Sequence, residues 1–293
     1  LDPTTLPPIT LTAADFALGD RHFGAVEISL LRTEYGLESE TLTAKDETFE
    51  FIGTARWVAD NNEVLGSRTY LTASLNSTDV GPTMSRLDLA KGISGESLGI
   101  FLDVSWSGGP RASFLDMLDG EVRVRMEQGQ LEEVEPGAGR MLGLVSVIAL
   151  PRRLSLDFSD VFDKGFGYDS IDGTFRITDG NATTCNLSFE GPAADIGIVG
   201  GTNLVTNEYE QGAVISANVG ATLPIVGAVV GGPPGAAAML IFSQIFKKPL
   251  QEMGQVFYGI SGPWEDPEIK PIGSDDFVKY GELAGCLPEG GGG

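Results

Sequence analysis

Through the first half of the chain, apolar and polar side chains trade places with a period of two. Gly24, Val26, Ile28 and Leu30 alternate with Ala25, Glu27 and Ser29, and Phe49, Phe51, Gly53, Ala55 and Trp57 alternate with Glu50, Thr54 and Arg56. After the Asp60-Asn61-Asn62 turn the pattern returns in Thr69, Leu71, Ala73 and Leu75. It is clearest where Leu98, Ile100, Leu102, Val104 and Trp106 face Gly99, Phe101, Asp103 and Ser105, and it continues in Val122, Val124 and Met126 against Arg123 and Arg125. Successive side chains of a strand point to opposite faces, so each run predicts a strand with one greasy side. Turn signals at Gly19-Asp20, Lys45-Asp46-Glu47 and Asp119-Gly120 separate these runs and predict an antiparallel meander. Only brief helices are expected, at 81–89 and 111–118. A doubly wound α/β fold needs a helix after nearly every strand and is excluded.

The second half mixes further strands (173–178, 184–189, 195–199, 209–219 and 256–262) with two segments that are apolar all round. The first, 139–149, reads as a helix stopped by Pro151. The second runs from Leu223 to Phe246 inside a stretch, 211–246, that contains no Asp, Glu, Lys or Arg. Pro233 and Pro234 break any helix there. The remaining arm, 235–248, rises about 20 Å, whereas a bilayer core is about 30 Å thick. It cannot cross a membrane alone, but two readings stay open: a helix buried in a protein core, or one in contact with lipid.

Composition narrows the function. The chain carries 41 acidic and 19 basic residues, a net charge of -22. Such a field repels phosphate backbones, so nucleic acid is not expected as a partner, and any lipid contact must rest on apolar burial. The 40 glycines, without a collagen-like period, fit a β-rich chain of many turns and bulges. Cys185 and Cys286 have no metal spacing; a disulfide and two free thiols are both open. Candidate chemistry is sparse. His22, the single histidine, supports neither a triad nor a metal site and reads as a surface turn residue. Asp157, Asp160, Asp163 and Asp169 lack a calcium-loop pattern, and Gly231-Gly232-Pro233-Pro234-Gly235 lacks the lysine of a phosphate loop. No enzyme activity, cofactor or metal is expected.

The run 139–165, Gly-Arg-Met-Leu-Gly-Leu-Val-Ser-Val-Ile-Ala-Leu-Pro-Arg-Arg-Leu-Ser-Leu-Asp-Phe-Ser-Asp-Val-Phe-Asp-Lys-Gly, closely resembles the carboxyl-terminal region of YhdP-type proteins of the AsmA-like superfamily. The resemblance continues through 166–180, Gly191-Pro192, 196–200 and Leu223-Pro-Ile-Val-Gly-Ala-Val-Val-Gly-Gly-Pro, and closes at Gly262-Pro-Trp-Glu-Asp-Pro. It implies a mainly β fold: a long, twisted antiparallel sheet curved into a U-shaped groove, with a few short helices capping its C-terminal end. It also implies a periplasmic protein anchored in the inner membrane by an N-terminal helix missing from this chain. Its C-terminal end would lie towards the outer membrane, and the groove would conduct phospholipid between the two membranes.

The expected organisation is a β-groove segment over 1–136, an AsmA-like C-terminal groove segment with capping helices over 137–272, and a mobile acidic and Gly-rich tail over 273–293. The lining expected to take acyl chains is Val26, Ile28, Phe49, Phe51, Trp57, Leu71, Leu98, Ile100, Leu102, Val104, Val122 and Val124. Met141, Leu142, Val145 and Ile148, with Met239, Leu240, Phe242, Ile245 and Phe246, are expected to gate the groove or touch the inner leaflet of the outer membrane. The partners are then phospholipid acyl chains, that leaflet and outer-membrane proteins. The rival reading is a scaffold for outer-membrane proteins that binds client strands at a sheet edge.

Overall fold

A computed structural model describes residues 2–90, 92–110, 113–131, 166–217, 233–246 and 255–287. Among the described residues thirteen strands form one antiparallel sheet whose spatial order is the order of the sequence, and the sheet is not closed into a barrel. The strands are β1 (Ile9–Leu18), β2 (Arg21–Arg32), β3 (Gly36–Lys45), β4 (Phe49–Ala59), β5 (Ser67–Ser77), β6 (Ile93–Ser107), β7 (Asp119–Leu131), β8 (Phe166–Thr178), β9 (Asn181–Glu190), β10 (Ala194–Asn203), β11 (Glu208–Ala217), β12 (Gln255–Pro263) and β13 (Glu268–Ile272). Among the described residues three helices accompany them: α1 (Val80–Arg86), α2 (Pro233–Phe246) and α3 (Ser274–Leu283).

Local sequence explains the meander. Asp179 and Gly180 join β8 to β9 with φ of 47° and 72°. Two positive φ values in a two-residue loop match the right-handed twist of the flanking strands, and Asp-Gly meets that demand at little strain. The connections are unequal. Because adjacent strands run antiparallel, the long ones, 78–92, 132–165 and 218–254, all leave the same rim of the sheet. The opposite rim has shorter turns, apart from 108–118, where a single 3-10 turn at Leu115–Met117 stands where a helix over 111–118 was expected.

The sheet separates two apolar cores. One covers the face that carries Phe49, Leu98, Val122, Phe175, Ile198 and Ile215. The other lies on the reverse of β9 to β12, where Val199, Val214 and Phe257 meet α2 and α3 through Ile241, Phe242, Ile245, Phe246, Phe277 and Val278. Both faces are therefore buried over 196–199, 212–215 and 256–260, and those stretches are continuously apolar instead of alternating.

Residues 274–287, within the stretch expected as a tail, carry α3, which buries Phe277 completely, and Cys286 forms a disulfide with Cys185 of β9. The acidic residues Asp275, Asp276 and Glu282 occupy the exposed side of this amphipathic helix, with two of them in its favourable first turn. The sheet is continuous on either side of 136, since β7 and β8 pair from Gly120–Ile177 to Leu131–Phe166.

The two edges differ. β1 offers ten residues with one charge, and Ile9, Leu11 and Leu18 are exposed. β13 has five residues, Glu-Ile-Lys-Pro-Ile, and Pro271 has no amide to donate.

Candidate functional site

Partners across antiparallel strands share a face, so the register converts the alternation into transverse rows. One row reads Val26, Ala44, Phe51, Leu75, Ile100, Val124 and Gly173 from β2 to β8. The next reads Gly53, Ala73, Leu102, Val122, Phe175, Thr184, Gly200, Gln211, Ile260 and Ile269 from β4 to β13. A third holds Ala55, Leu71, Val104, Gly120, Ile177, Ala182, Thr202 and Tyr209. A fourth holds Ser77, Leu98, Met126, Ile171, Phe189, Ile196, Ile215 and Val256. None contains Asp, Glu, Lys or Arg. All twelve residues expected to line a groove lie on this face, with Ile28 opposite Leu42, Phe49 opposite Ser77 and Trp57 opposite Leu37.

Exposure grades along the rows. Ile28, Phe51, Trp57, Leu71, Ile100, Leu102 and Val124 remain partly exposed, whereas Phe175, Phe189, Ile198 and Ile215 are at most 2% exposed. The face is thus partly accessible over β2 to β7, where Val26, Phe49, Leu98, Val104 and Val122 are nonetheless buried, and covered over β8 to β12. Trp57 is held on one side: its indole Nε1 donates to Ser67 Oγ at 3.1 Å, and a Cβ on Gly109 would stand 2.5 Å from its ring. At one rim α1 touches β6 and β2 and buries Val80, Met84 and Leu87 in the same core. Arg86 ties α1 to Asp46 at 2.7 Å, and Thr83 Oγ1 bonds Ser77 Oγ at 2.8 Å.

The reverse face is polar over β4 to β8. Arg68 donates to Glu63 at 2.9 Å and to Asp119 at 2.7 Å, linking two turns at one rim. Arg123 sits 5.3 Å from the Phe101 ring and Arg56 4.8 Å from that of Tyr70, so arginine stems cover the aromatic groups turned towards water. Over β4 to β8 the sheet thus has a polar reverse and an apolar face.

Several features were not anticipated. Gln211 sits in the second row at 0% exposure, and neither its Oε1 nor its Nε2 has a hydrogen-bond partner among the described residues. Its neutral amide lies in the charge-free stretch 211–246, so charge patterning could not single it out. Tyr168 donates to the Ser94 carbonyl at 2.7 Å, and burial pushes its hydroxyl pKa up to about 12. The pairing of Cys185 with Cys286 settles the question left open by their spacing. Among the described residues, no group of three or more His, Cys, Asp or Glu side chains could hold a metal ion.

The residues expected to gate behave differently from one another. Met141, Leu142, Val145 and Ile148 lie outside the described residues. Phe242, Ile245 and Phe246 are buried on the reverse of the sheet and do not stand over the rows, because Val199, Val214, Phe257 and α3 supply the apolar partners they need. Met239 and Leu240, 48% and 56% exposed, project from the outer side of α2. No helix among the described residues is long and apolar enough to cross a membrane.

Comparison with known proteins agrees with these features. The chain is 28% identical over 254 residues to the intermembrane phospholipid transporter YhdP of Escherichia coli K12, a match that covers 85% of this chain and 20% of that protein. It therefore spans about a fifth of the length of that relative. No solved structure matches. The family model for the YhdP protein matches residues 1–269, most of an open sheet with uncharged rows on one face, and the chain belongs to the YhdP family.

Proposed function

We propose that the uncharged face is a path for phospholipid acyl chains and that the chain is part of a periplasmic bridge between inner and outer membrane. The observation that carries this reading is the rows themselves: they run without a charge across seven to ten strands, at right angles to the strand direction. Each methylene moved from water onto such a surface gains about 0.8 kcal/mol. Because one row resembles the next, a chain can shift from strand to strand without passing a deep minimum. The relative's description as an intermembrane phospholipid transporter supports the same cargo.

In this reading an N-terminal helix anchors the protein in the inner membrane and the C-terminal end faces the outer membrane. Met239 and Leu240, exposed beside a buried helix face, then meet the inner leaflet of that membrane. The chain works by binding and guiding, with no bond made or broken.

Neighbouring side chains on opposite faces provide the test. A photo-crosslinking residue at Ile100, on the apolar face, is expected to label phospholipid, and one at Phe101, on the reverse, is not. Equal labelling at both positions, or labelling at neither, overturns the reading.

A further inference from the structure

Gln211 is the exception in the uncharged rows. A buried carboxamide without partners is costly, and mutation of an unneeded one to a hydrocarbon of similar shape is nearly neutral or stabilising. Its neighbours explain what it can reach. Across β10 its partner is Gly200, which has no side chain, and the next position in the row is Thr184 of β9, 2% exposed. The backbone fixes that gap: Gly200 has φ of +116°, and a Cβ there would lie 2.5 Å from the Glu210 carbonyl oxygen, so no other residue fits without a shift. On the other side stands Ile260. The amide therefore borders a bare strip one side chain wide, with a hydroxyl at its far end.

The neighbouring polar groups are already committed. Thr202 Oγ1 donates to the Glu208 carbonyl at 2.9 Å and accepts from Trp264 Nε1 at 2.8 Å. Over β4 to β7 the rows offer no amide at all. A lipid moving from the accessible strands towards β11 would meet its first unpartnered hydrogen-bonding side chain at Gln211.

We propose that Gln211 is a polar station that hydrogen-bonds the acyl-ester and glycerol region of a diacyl phospholipid, an inference that rests on the path proposed above. The chemistry selects that region over the phosphate. A carboxamide is neutral and both donates and accepts, which suits an ester carbonyl or a hydroxyl, and the row contains no Lys or Arg to neutralise an anion.

The test uses the full 293-residue chain, wild type and Gln211→Met, with dipalmitoyl phosphatidylethanolamine and its dialkyl-ether analogue, which lacks the ester carbonyls. Wild type is expected to bind the diester about fivefold more tightly than the diether, the worth of one neutral hydrogen bond. In Gln211→Met that preference disappears, diether binding is unchanged, and the melting temperature of the lipid-free chain holds or rises. An unchanged preference in the variant overturns the station while leaving the path intact. If that result comes with a lower melting temperature, the amide serves a buried water instead. Binding of neither lipid to wild type removes both path and station. Should the variant fail to fold, the wild type alone decides: the ester C=O stretch of bound lipid shifts to lower frequency, and a band at its value in dry hydrocarbon refutes the assignment.

Discussion

A carboxylate placed at Leu102 separates the path from the fold, because one row contains both accessible and sealed positions. Leu102 is partly exposed in β6, and Phe175 of β8, two strands along the same row, is 1% exposed. Complete burial of a leucine is worth about 1.5–3 kcal/mol, so a partly exposed one forfeits roughly half, and an aspartate there keeps much of its hydration. The loss is small against a reserve of about 5–15 kcal/mol, and Leu102→Asp is expected to fold. At Phe175 truncation alone costs about 3–5 kcal/mol, and an unpaired buried charge adds several more, which exhausts that reserve. Transport should respond differently. An acyl chain passing the introduced carboxylate surrenders the contacts of about four methylenes, or about 3 kcal/mol, which slows passage by roughly two decades. The measurement pairs circular dichroism and urea unfolding with transfer of a fluorescent phospholipid between vesicle populations by the intact protein, with Leu102→Met as control. A folded Leu102→Asp protein that transfers lipid within twofold of wild type would refute the reasoning.

Two further outcomes follow from other parts of the molecule. The Cys185–Cys286 bridge closes a loop with a sequence separation of 101, for which chain-entropy arguments give about 4.7 kcal/mol, so Cys286→Ser should lower the urea midpoint. Reductant should lower the wild-type midpoint likewise and leave the variant untouched; an unmoved midpoint contradicts the role of the clip. The hydroxyl of Tyr168 is raised from 10.0 to about 12 by burial, which favours the neutral form in the fold. Its contribution is complete below the unfolded value and is lost as pH climbs from 10 to 12. Absorbance at about 295 nm should then show one tyrosine ionising together with alkaline unfolding, and ionisation near pH 10 in folded protein would exclude this.

The architecture was legible where one side of the sheet meets water. In β4 to β7 polar residues such as Arg56, Asp103, Arg123 and Arg125 mark the reverse face, so the period of two exposes both the strand and its orientation. Covering that reverse with α2 and α3 removes the polar half of the signal from β10 to β12, and only strand presence can be read there. β13 escaped notice for the reason it ends the sheet: Lys270, Pro271 and Glu268 are poor strand formers and good edge guards. Helix α3 was hidden by its acidic residues. That the twelve positions share one face followed from alternation alone, whereas Gln211 had no sequence signal, because a neutral polar residue becomes exceptional only when its cross-strand neighbours are known. The helix α2 was foreseen, but not the side of the sheet it occupies: a segment apolar all round carries no marker of which surface it will choose.

The unlike margins of the sheet give it a direction. A strand arriving beside β1 finds ten backbone positions with a single ionised neighbour, and can add at full length. One arriving beside β13 finds half that length, interrupted by an imino acid and flanked by opposite charges that prefer water. Strand addition is therefore favoured beside β1 over β13, as at the more reactive of two unlike chain ends. The same asymmetry locates the hazard: if β1 is bared, copies will associate through that margin.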